Sequence, residues 1–122
     1  MESILTSIKK LLGIADEYTH FDSDIIMHIN TVFSSLTQMG VGPVEGFFIT
    51  DAYSTWDDFT SENVSLASVK TYMYLKVRLL FDPPQNSSVM SSMERQASEL
   101  EWRLNLTGET LAEKTDKEDE WS

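Results

Sequence analysis

Few side chains in this sequence have the capacity for chemistry. The two histidines, His20 and His28, stand eight residues apart with Asp22 and Asp24 between them. Imidazoles and carboxylates are metal ligands, and eight positions on a helix return to nearly the same face. His20 precedes the residues that start the helix, however, and no HExxH or related ligand spacing occurs. The pair reads as one loop histidine and one helix-surface histidine. In "TWDDF", Asp57 and Asp58 are adjacent, with Asp51 close by. Acid–base work by paired carboxylates needs two groups facing across a cleft, and adjacent loop residues point apart. No glutamate closes the segment as in an EF-hand loop. These acids read as turn and cap residues. No serine sits in a GxSxG elbow. "GVGPVEG", residues 40–46, lacks the Lys-Ser/Thr of a P-loop and follows a helix rather than a strand, so it reads as an interhelical turn. No catalytic constellation, metal set or cofactor motif results. The chain reads as a non-enzymatic protein that contacts other proteins.

Composition narrows the partners. The chain has 122 residues, enough for one small domain, and hydrophobic residues make up 41%, enough for a modest core. Twenty acidic against nine basic side chains give a formal charge of −11. Such a balance disfavours gripping nucleic-acid phosphates, which takes clustered Lys and Arg, and disfavours an anionic membrane surface. It suits basic patches on partner proteins. With no cysteine, disulfides and thiolate metal sites are excluded, and the composition fits a cytoplasmic site of synthesis. No apolar run has the length of a membrane span, and "MESILTSIKKLLG" lacks the basic-then-apolar order of a signal peptide.

The elements that position these residues are helical. Ile4, Leu5, Ile8, Leu11 and Leu12 form one amphipathic face, with Lys9 and Lys10 near its C-terminal end and Gly13 as a stop. A second helix, capped by Asp22 or Ser23, carries Ile25, Ile26, Ile29, Val32, Phe33, Leu36 and Met39 and ends at Gly40. "FFIT", residues 47–50, is short, aromatic and β-branched, so it either pairs with a short neighbour or packs as extended chain. Residues 56–59 read as a helical turn or a loop with aromatic anchors. The third helix, capped by Asn63 or Ser65, is apolar around most of its circumference, which places it centrally. Its Lys70, Lys76 and Arg78 read as salt-bridge partners for the abundant acids. Asp82, Pro83 and Pro84 then force a corner, because neither proline has an N–H and Pro83 drives Asp82 out of the α region. A fourth helix, capped by Ser87 or Ser88, carries Met90, Met93, Ala97, Leu100 and Leu104 at heptad-like spacing, a seam for one neighbouring helix.

The fold class expected is therefore all-α: a small bundle of about four helices with a short extended segment and an acidic C-terminal tail. The domain is expected to span 1–105, and the tail, 106–122, to be disordered or ordered by a partner. Trp102 lies off the seam, about 180° from Met93, and serves either the core or an intermolecular contact. Trp102, Arg103, Leu111 and Trp121 are the candidate partner-binding residues, and Asp82, Pro83 and Pro84 the structural corner.

The run "VKTYMYLKVRLLFDPPQNSSVMSSMERQASELEWRLN", residues 69–105, resembles small head–tail connector (adaptor) proteins of tailed bacteriophages and prophages of Gram-positive bacteria. "ILTSIKKLLGI" followed by "FDSDIIMHINTVFSSLTQMGVGP" fits the same pattern, and "YLKVRLLFDPP" and "ELEWRLN" are its most specific pieces. The resemblance implies a virion protein. Copies would form a homo-oligomeric ring under the portal protein, extend the DNA channel, and offer a platform to a stopper or tail-completion protein. It implies that residues 88–122 dock on the portal and that DNA passes an acidic lumen without sequence-specific binding. Another branch of connectors carries a Tyr-and-Arg signature where this chain has "KVRLLFDPP". The competing reading is an acidic DNA mimic or inhibitor of a DNA-handling protein. A mimic needs carboxylates in a regular exposed stripe, whereas here the acids are scattered and densest at the end.

Overall fold

A computed structural model describes residues 2–60 and 65–120, with side chains described up to residue 110. Five helices follow in order: α1 (Ile4–Leu12), α2 (Asp22–Gln38), α3 (Trp56–Phe59), α4 (Leu66–Phe81) and α5 (Ser87–Glu120). The fold is an all-α small bundle. Among the described residues the only β feature is an isolated bridge between Ser3 and Thr55.

Helix ends follow local chemistry, with two departures from expectation. The Ser3 hydroxyl caps α1 by accepting from the Thr6 N–H. Gly13 and Gly40, both at positive φ, close α1 and α2. After α2 the Gly40 and Val41 amides reach back to the Thr37 and Leu36 carbonyls, the paired bonds of a Schellman end. Ser65 caps α4, while the alternative, Asn63, lies outside the described residues. Neither Asp22 nor Ser23 caps α2; the cap position is Phe21, without a side-chain bond. Asp22 is diverted because its carboxylate lies 2.9 Å from the buried Lys9 ammonium. Nor do Ser87 or Ser88 cap α5. The Asn86 side chain does, accepting from the Ser88 and Val89 amides at 2.9 and 3.1 Å. Asparagine caps as well as serine does, so α5 starts one residue nearer the prolines than expected.

Helix α4 packs on α1, α2 and α5. The core gathers Ile4 and Ile8 of α1, Ile25, Ile29 and Phe33 of α2, and Val69, Met73 and Val77 of α4. Each such fully buried side chain contributes about 1.5–3 kcal/mol of transfer free energy. Residues 47–50 form no strand and no bridge, and of them Ile49 is buried. The Asn30 side chain satisfies both polar groups of Ile49, donating to its carbonyl at 2.9 Å and accepting from its amide at 2.8 Å. Phe47 packs edge-on to Phe33, and Ile49 is buried. Asp58 and Asp51 serve local geometry. Asp58 completes a reciprocal capping box with Thr55, and Asp51 accepts from the Tyr53 amide. That frees α3 to bury Trp56, whose indole N–H donates to Ser7 Oγ at 2.9 Å.

Candidate partner interface

The apolar spacing of α5 places one face on α4. Ala97 and Leu104 are buried and Met90, Met93 and Leu100 half-buried, so the seam expected from the sequence packs as such. Across it the Tyr72 hydroxyl donates to Glu101 Oε2 at 3.3 Å. Burial first, then the Glu101 charge and this bond, push the phenol up to about 12. One turn beyond Leu104, Gly108 meets the end of α2. A Cβ there would lie 2.9 Å from the Met39 carbonyl carbon and closer still to its oxygen. Only a glycine lets the two backbones approach this closely. Packing thus continues past Asn105, and the helix runs on to Glu120.

The opposite face of α5 has no neighbour within the chain's described contacts. Trp102 is 63% exposed and Leu106, one turn on, 43%. Arg103 pairs with Glu99 at 2.6 Å on the same face, both exposed, and Arg95 is exposed one turn before Glu99. Trp102 therefore serves no core in this chain. Leu111 lies in α5 with its side chain outside the described residues, and Trp121 lies outside them altogether.

Asp82, Pro83 and Pro84 form the connection between α4 and α5. The Asp82 amide closes α4 on the Arg78 carbonyl at 2.9 Å, and its carboxylate lies 3.5 Å from the Arg78 guanidinium. The prolines stop α4, and α5 returns along it as an αα-hairpin. The corner thus joins two packed helices, and α5 is at once part of the body and the bearer of an outward face.

A sequence-family profile described as phage connector protein matches residues 4–110, from the first residue of α1 past Gly108. The chain belongs to the phage connector protein family. No curated protein and no solved structure matches it. No helix among the described residues of this connector is long and apolar enough to cross a membrane.

A second exposed surface of the connector is the loop after α2. Val44, Phe48 and Tyr53 are 96%, 70% and 88% exposed, while Ile49 between them is buried. The alternation has a local cause: Asn30 fixes the orientation of Ile49, so its neighbour Phe48 turns outward. The histidines sit elsewhere. The His20 ring lies 4.8 Å from Phe21, Phe21 lies 5.4 Å from Phe81, and His28 lies 6.3 Å from Phe81. They are members of an aromatic group where α2 begins and α4 ends. Among the described residues no three His, Asp or Glu side chains gather to hold a metal ion.

Sequence reading missed three residues that shape the connector. Lys9, placed by its position near a helix C-terminus, is 1% exposed and donates to the Asp16 and Tyr18 carbonyls at 2.9 and 2.8 Å. Asp22 Oδ1 has no hydrogen-bond partner, so its pairing with Lys9 is Coulombic rather than directed. The available signal was the place of Lys9 next to Ile8 in an apolar face. Asn30 amid the apolar residues of α2, and Gly108 inside a helical run, were comparable signals.

Proposed function

We propose that this connector is a structural head–tail adaptor of a tailed phage. Copies form a ring beneath the portal protein, extend the channel through which DNA leaves, and present a platform to a stopper or tail-completion protein. The observation that carries this reading is the family match over residues 4–110. The outward face of α5 supports it, because Trp and Arg side chains left exposed on a rigid helix are the usual anchors of protein interfaces. The charge of −11 suits a lumen that repels the passing duplex. Trp102 and Arg103 are the docking residues on α5, with Leu111 and Trp121 further along the same segment.

Co-expression with the portal protein encoded beside it, followed by electron microscopy of the purified particles, tests this. A ring stacked coaxially on the portal is expected. A chain that ignores the portal and instead captures a DNA-handling enzyme refutes the adaptor and selects the acidic inhibitor.

A further inference from the structure

We infer that two free copies of the connector pair antiparallel through the outward face of α5, each covering the Trp102 of the other. The pair is additional to the ring: a two-fold contact closes at two copies, so it belongs to the free chain and gives way on assembly. Its consequence, that pairing conceals the docking helix, rests on the reading of Trp102 and Arg103 as docking residues.

The face carries a charge pattern that is its own complement. Arg95, Trp102 and Glu109 follow one another at seven-residue spacing, about two helical turns, and so form one stripe roughly 20 Å long. All three are exposed, as are Ser98 and Leu106, each one turn from Trp102. When two such helices lie antiparallel about Trp102, Arg95 of each copy stands opposite Glu109 of the other, and the two indoles meet between these pairs. Glu99 and Arg103, joined within one chain at 2.6 Å, lie on one side of the stripe, and the two-fold brings Glu99 of one copy level with Arg103 of the other. Arg95 and Arg103 balance Glu99 and Glu109, so copies of charge −11 meet here without local repulsion. Glu94 lies off the stripe, about 80° round the helix from Trp102. Parallel pairing would set Arg95 on Arg95 and Glu109 on Glu109, so charge selects the antiparallel arrangement.

The rest of the chain leaves this stripe clear. Helix α5 packs on α4 through Ala97, Leu100 and Leu104. Gly108, where the end of α2 approaches, lies about 120° round the helix from Trp102. An occupant of the stripe must present base, apolar and acidic groups at the same spacing in the reverse order. A second copy turned end for end does so. Its Trp102 then meets a Trp102 inside a rim of charge pairs, the arrangement of an interface hot spot.

The chain has no cysteine, so engineered thiols report the contact without background. Ser98 and Asn105 are exposed on the side of the stripe away from Glu99, and in the antiparallel pair Ser98 of one copy comes level with Asn105 of the other. Full chains carrying Ser98→Cys are mixed with full chains carrying Asn105→Cys and oxidised, and sedimentation velocity of the unmodified chain is run in parallel over a concentration series. Disulfide-linked dimers are expected from the mixture and from neither variant alone. Arg95→Glu alone and Glu109→Arg alone are each expected to raise the dissociation constant about tenfold. Mixing these two variants is expected to restore it, because in the mixed pair each charge at 95 meets its opposite at 109. The oxidised dimer is expected to bind the portal protein only after reduction. A disulfide from Ser98→Cys alone means parallel pairing and overturns the inference, and so do charge variants that mixing does not rescue. A chain that sediments only as a monomer overturns the pairing and leaves docking on the portal standing. An oxidised dimer that binds the portal as well as the reduced chain does overturns the concealment.

Discussion

Replacing Gly108 with alanine separates helix propensity from packing, because the two predict opposite signs. Gly108 lies inside α5. In an unpacked helix, Gly→Ala stabilises by about 1 kcal/mol, since alanine loses less backbone entropy. Here the added Cβ meets backbone rather than a flexible side chain. It would lie 2.9 Å from the Met39 carbonyl carbon and 3.4 Å from that of Gly40. The Met39–Gly40 backbone is itself fixed by the Schellman bonds that close α2, so α5 must move instead. Moving it opens the seam at Leu104, which is 2% exposed. Overpacking of this kind costs about 1–3 kcal/mol, and partial exposure of a leucine adds about 1 kcal/mol. After the propensity gain, the net loss is about 1–3 kcal/mol, a fall in Tm of about 4–12 °C for a domain of this size. The assay is urea and thermal unfolding followed by far-UV circular dichroism at fixed protein concentration, so that any self-association is held constant. Asn105→Ala, exposed on the same helix, is the control and should stabilise by a few tenths of a kcal/mol, about the propensity difference alone. A Gly108→Ala protein as stable as the parent or more so would refute the close approach of α5 to α2.

Four further outcomes are expected. Lys9→Met should cost about 3 kcal/mol in chemical denaturation, because Asp22 and two carbonyls lose a buried partner; Lys9→Met with Asp22→Asn should recover part of that loss. Asn30→Ala should cost about 2 kcal/mol and sharply accelerate hydrogen exchange at the Ile49 amide, since both polar groups of Ile49 lose their partner. Tyr72 should ionise at about 12 in a spectrophotometric titration. Because its folded pKa is raised above the ordinary value of about 10, its stabilising contribution is complete below pH 10 and is lost as pH rises through 12. Glu101→Gln should lower that midpoint without restoring the ordinary value, because burial remains. Replacing Pro83 and Pro84 together with alanine should leave the circular dichroism of the chain helical but lower the yield of completed particles; normal infectious assembly would show that the corner is dispensable.

The sequence by itself determined the local elements. Apolar spacing placed α1, α2, α4 and the start of α5, Gly13 and Gly40 placed the ends of α1 and α2, and the prolines placed the corner, because these signals act between residues a few positions apart. The seam of α5 was legible for the same reason, and so was the position of Trp102 off that seam. Tertiary structure decided whether Trp102 faces the core or solvent, because that depends on how many neighbours surround α5. It turned Asp22 from a cap into the counter-charge of Lys9, gave Asn30 the task of a missing strand, and brought Gly108 against Met39 and Gly40. Each of these contacts joins residues distant in sequence or held in different elements. Periodicity specifies which face of a helix is apolar, but only the packed arrangement specifies what that face meets and which surfaces it leaves for another molecule.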